Sequence, residues 1–172
     1  MTNPAESFKK KLKEKEEATQ KRWEELRSHR ENFFKEQQGK IGTYQKYLSP
    51  LIEVLEEWAV SGGLACQNLS VAYYDFETLY QTKGVIVSDG NKKVSFQPAG
   101  VSSNNDFKGT VKIEMPKSLG SHVFFLGLDS NPIEEEPFWV FVDYDKDNPS
   151  NSQTARLTDD VFFQLMSDAF LE

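Results

Sequence analysis

The 172-residue sequence predicts an α+β fold with a long N-terminal helix and a second, kinked helix. An antiparallel meander sheet of about six strands follows, with a C-terminal helix packed on it. Three observations predict this. Residues 5–38 contain no Gly or Pro and carry apolar residues at helical spacing. Beyond Gly62-Gly63 the chain turns to short alternating or aromatic runs punctuated by Gly, Asn, Asp and Pro. From Thr158 the helical period returns.

Asn3-Pro4-Ala5-Glu6 reads as a helix start: Asn3 caps, Pro4 suits the first turn, and Glu6 can reach back to the cap. Gly39 is placed to stop the helix, so residues 1–38 are predicted as a charged helical arm and 39–172 as an α+β globular domain. On the helical wheel Phe8, Leu12, Trp23, Leu26, Phe33 and Phe34 share one face, and these six are the candidate interaction face. Leu12, Thr19, Leu26 and Phe33 recur every seven residues, a coiled-coil spacing, although Lys15, Glu16 and Arg30 intrude on the seam. Such a stripe needs a cover. Packing on the chain's own body and self-association weigh equally as that cover.

Between Thr43 and Ser61, Tyr44, Tyr47, Leu48, Leu51, Leu55 and Trp58 follow i, i+3/i+4 spacing, which predicts a core helix. Ser49-Pro50 is expected to kink or restart it, and Gly62-Gly63 to end it. Strands are predicted near 69–80, 84–88, 92–97, 109–115, 122–128 and 138–143. Asp89-Gly90-Asn91 marks a hairpin turn, and Phe138–Val142, apolar on both faces, a central strand. Residues 99–109 and 129–137 read as loops. In the last helix Thr158 caps, Asp159 and Asp160 favour its positive end, and Val161, Phe162, Leu165, Met166, Ala169 and Phe170 form a face for the sheet.

The chain is poor in chemical motifs. Cys66 rules out an internal disulfide and reads as a buried structural thiol in a reducing compartment. His122 opens a strand, where packing or a hydrogen bond is the ordinary role of an imidazole. Asp143, Asp145 and Asp147 occupy the first acidic positions of a calcium-loop pattern. Asn148 then replaces its glycine and Thr154 its final glutamate, so an ordinary acidic loop is favoured over a metal site. Glu134-Glu135-Glu136 reads as another such loop. No phosphate-cradling or zinc-spaced motif is present; no catalytic residue is singled out and no cofactor is expected.

Charge narrows the classes of partner. Residues 1–60 hold 12 Lys and Arg against 11 Asp and Glu, whereas the remainder holds 8 against 16. That acidic body, and the acids interleaved with Lys11, Lys15, Arg22 and His29 in the arm, argue against nucleic acid. The same mixture argues against a membrane-surface helix, and neither a leader nor a spanning segment is expected. The leading expectation is a noncatalytic, cytoplasmic, bacterial-type accessory factor. Its N-terminal helix would dock on a protein partner or pair with a second copy as a homodimer. The alternatives are an acidic inhibitor or immunity-type protein that blocks a basic surface, and an enzyme of unknown class.

Overall fold

A computed structural model describes residues 3–102, 106–117, 120–134 and 136–171. The 103–105 part of the 99–109 loop and Glu135 of the triple-glutamate run lie outside the described residues. The chain divides into two compact units, one ending at Gly39 and the other beginning at Lys40. Helix α1 runs Pro4–Ser61 and α2 runs Asp159–Phe170. Between them lie β1 (Ala65–Asp75), β2 (Thr78–Asp89), β3 (Lys92–Gly100), β4 (Thr110–Glu114), β5 (His122–Asp129), β6 (Phe138–Asp145) and β7 (Gln153–Arg156). The sheet is antiparallel throughout, with strands in sequence order from β1 to β7. The α+β class and its meander are as expected, with seven strands where about six were predicted.

The two expected helices are one helix: neither Gly39 nor Ser49-Pro50 interrupts α1. A glycine costs about 1 kcal/mol in a helix interior and a proline about 3. Around Pro50, Leu48, Leu51, Ile52 and Leu55 are all buried, and each contributes roughly 1.5–3 kcal/mol. Burial therefore outweighs the local penalty. The start follows the sequence, since the Asn3 side chain accepts the Ala5 N–H at 3.1 Å. The end does too: Gly63 adopts φ +79°, its N–H reaches the Val60 carbonyl at 3.0 Å, and the Leu64 N–H reaches that of Ala59 at 2.9 Å. That pair of bonds closes the last carbonyls of α1 in the Schellman manner.

The predicted strand over 69–80 is corrected to parts of β1 and β2, because the chain reverses at Phe76-Glu77 with Asp75 opposite Thr78. Both turn residues have positive φ, 48° and 62°, which normally calls for Gly or Asn. A buried carboxylate braces this hairpin end. Asp75 accepts the Tyr80 hydroxyl, the Ser102 hydroxyl, the Val101 N–H at 3.1 Å and the Ser102 N–H at 3.3 Å. Four donors thus solvate a charge that burial would otherwise penalise. The Asp89–Lys92 hairpin forms where predicted, with Gly90 at φ +60°.

Strand β6 is also corrected: it lies between β5 and edge strand β7, one place from the edge rather than central. It is apolar on both faces because both are covered, with Val140 and Val142 buried and Trp139 and Phe141 half-buried. Trp139 donates its indole N–H to the Tyr47 carbonyl at 3.2 Å. The core helix and α2 supply the rest of the core. Tyr44, Leu48, Leu51 and Leu55 are buried as predicted, with Ile41, Ile52 and Ala59 beside them. In α2 the Thr158 hydroxyl caps Val161 at 3.3 Å, and Phe162 stacks with Phe96 and meets Trp58 at a tilt.

Candidate functional site

The first candidate is the stripe on the arm. Phe8, Leu12, Trp23, Leu26, Phe33 and Phe34 are all exposed, Phe8 and Trp23 at 65%. Six large apolar side chains on one helical face exceed the scattered exposure that ordinary surfaces carry. The wheel adds a charge pattern to the stripe. At ~100° per residue, Lys9, Lys15, Arg22, Arg27 and Arg30 fall within a quarter turn of Leu12, with Glu16 the one acid there. Glu14, Glu17, Glu24 and Glu25 fall on the far side. The arm is near neutral in sum, yet its apolar face is basic.

The second candidate lies wholly within the unit that begins at Lys40. His122 opens β5 opposite Asp145 of β6, and strand alternation puts His122, Phe124, Phe141, Asp143 and Asp145 on one sheet face. His122 Nδ1 lies 2.6 Å from Asp143 Oδ1, and Nε2 lies 3.9 Å from Asp145 Oδ2. The hydrogen bond to Asp143 raises the imidazole pKa above its ordinary value, with the charges of Asp143 and Asp145 adding to it. The ring stacks on Phe124, and Phe124 stacks on Phe141 at 5.7 Å.

Helix α2 forms the facing wall of a groove of about 730 Å³. Asp160, Gln164 and Asp168 recur every four residues along that wall, and the Gln164 amide donates to Asp168 at 3.0 Å. The floor is Phe124 and Phe141, with Ala155 of β7 opposite Phe141. Arg156 is kept off this face by the strand period. It pairs with Glu134 at 2.6 Å and lies over Phe138 on the other side of the sheet. No Lys or Arg is among the groove's lining residues. Chemically it offers an aromatic floor between carboxylate walls, a surface for cations that carry apolar stems.

The three weak metal candidates are not brought together. Asp143 is paired with His122, and Asp147 is exposed. Asp145 is buried and turned into its own loop, where it accepts the Ser121 hydroxyl at 2.7 Å and the N–H groups of Asp147 and Asn148. Those bonds, led by Ser121, hold its pKa below the usual carboxylate value. No group of three His, Cys, Asp or Glu among the described residues is placed to hold a metal ion. The buried thiol is a correction: Cys66 is exposed and lies inside edge strand β1, with its Sγ 4.0 Å from the Glu56 carbonyl of α1. Partial burial and the charge of Glu56 nonetheless raise its pKa, which lowers its thiolate content.

No helix among the described residues is long and apolar enough to cross a membrane. The chain matches no family model, no curated protein and no solved structure. Of the groove, sequence reading singled out His122 and Asp143 separately. It missed Asp160, Gln164 and Asp168 as a wall, although their i, i+4, i+8 spacing was a legible signal.

Proposed function

We propose that the protein is a noncatalytic interaction factor of the cytoplasm that acts through its N-terminal helix, pairing first with a second copy of itself. The observation that carries this reading is the exposed stripe from Phe8 to Phe34. Covering Trp23, Leu26 and Phe33 is worth roughly 1.5–3 kcal/mol each before association entropy is subtracted. The seven-residue repeat of Leu12, Thr19, Leu26 and Phe33 supplies a seam that another helix can share. The basic residues flanking it make that pairing weak, because two identical faces bring like charges together.

Sedimentation of the full chain over a wide concentration range tests the proposal. The wild type is expected to pass from monomer towards dimer. A Trp23→Glu, Leu26→Glu double variant is expected to remain monomeric, with dissociation constant raised about a hundredfold or more. A wild type that stays monomeric at the highest concentrations overturns the reading. So does a double variant that dimerises like the wild type, or attachment of the stripe to anionic vesicles in place of dimerisation.

A further inference from the structure

We propose that the free edge of β7 and the groove beside it bind an extended basic peptide by strand addition. This goes beyond the association of the arm and does not depend on it. Strand β7 ends the sheet, and all four of its residues are exposed. One step beyond it, the Leu157 N–H donates to the Trp139 carbonyl at 3.0 Å. Antiparallel ladders alternate, so Ala155 and Gln153 likewise turn their backbone groups to β6. Thr154 and Arg156 then turn theirs outward, which gives an incoming strand two residues' worth of donors and acceptors.

Charge selects the occupant. A strand added beyond β7 places every second side chain on the face that carries Phe124, Phe141 and Ala155. There it meets Asp160 and Asp168 of α2, with Asp143 behind them. A Lys or Arg at alternate positions lays its methylenes along the phenyl floor and its charge against those carboxylates. Acidic side chains in the same register meet the carboxylates of α2, and the groove's one basic group, His122, is already paired with Asp143. The other sheet edge is different, for the groove beside β1 is lined by Asn68, Ser70, Gln81 and Lys83 and presents no carboxylate.

The test uses the full chain and a fluorescent ten-residue peptide of alternating Arg and Val, read by anisotropy. An alternating Glu-Val peptide and spermine serve as competitors. Strand addition predicts saturable binding that neither competitor displaces at equal concentration. Asp160→Asn with Asp168→Asn, both exposed positions, should weaken binding at least tenfold. Thr154→Pro removes one outward N–H at a strand edge that tolerates proline, and should weaken it similarly while the melting curve holds. The Trp23→Glu, Leu26→Glu chain should bind as the wild type does. Binding unchanged by Thr154→Pro, or equal displacement by spermine, overturns strand addition. Binding unchanged by the two asparagines overturns the groove. Loss of binding in the arm variant places the peptide on the arm and overturns the proposal as well.

Discussion

Glu77 shows what a single position costs. It sits in the left-handed region at φ +62°, beside Phe76 at φ +48°, in a two-residue turn. For a side chain with a Cβ that conformation costs roughly 1–2 kcal/mol, part of which glycine returns as unfolded-state entropy. Glu77→Gly is therefore expected to stabilise the fold by about 0.5–1 kcal/mol in urea denaturation, since Glu77 is exposed and loses no packing. Phe76 is the poorer target because its ring packs against the core. The turn was illegible in the sequence for the same reason that it is strained: it has neither Gly nor Asn, and Asp75 with its four hydrogen bonds enforces it from a distance. Gly90, where residue and conformation agree, was read correctly. Cys66 was misread because β1 is an edge strand, and edge position cannot be seen in local composition.

At the scale of the element, α1 shows tertiary packing overriding local signals. Pro50 lies inside the helix and is exposed, so its ring leaves the Lys46 carbonyl without the N–H that a helix would supply. Its neighbours Leu48, Leu51, Ile52 and Leu55 are buried regardless, and they keep the segment helical. Pro50→Ala is expected to stabilise the protein by roughly 1–3 kcal/mol, read as a raised thermal midpoint. No change, or a loss, would mean that the proline conformation is itself required there. Helix ends were legible because their chemistry is local: Asn3, Gly63 and Thr158 each make the bond that their residue type implies. Strand β7 was not, because four exposed residues leave no apolar alternation, and its pairing with β6 is a property of the sheet. The groove inherits that blindness, since three strands and α2 each contribute one part of it.

Across the molecule, charge is sorted by face as well as by segment, and the sorting makes salt a discriminating variable. The apolar face of the arm carries Lys9, Lys15, Arg22, Arg27 and Arg30, so pairing of two arms is driven by burial and opposed by like charge. The groove carries Asp160 and Asp168 beside an Asp143 paired with His122, and no lysine or arginine, so a basic peptide is drawn to it by opposite charge. Raising ionic strength from about 0.1 M to 1 M shortens the screening length from ~10 Å to ~3 Å. Screening relieves the repulsion in the first case and removes attraction in the second. Dimerisation through the arm should tighten a few-fold over that range, and the affinity of the alternating Arg-Val peptide should fall about tenfold or more. Sedimentation and anisotropy at matched salt concentrations read the two slopes on the same preparation. If dimerisation weakens with salt, the arm is pairing with an acidic surface, and the stripe-to-stripe seam is wrong. If peptide affinity is indifferent to salt, the carboxylate walls are not what selects the peptide.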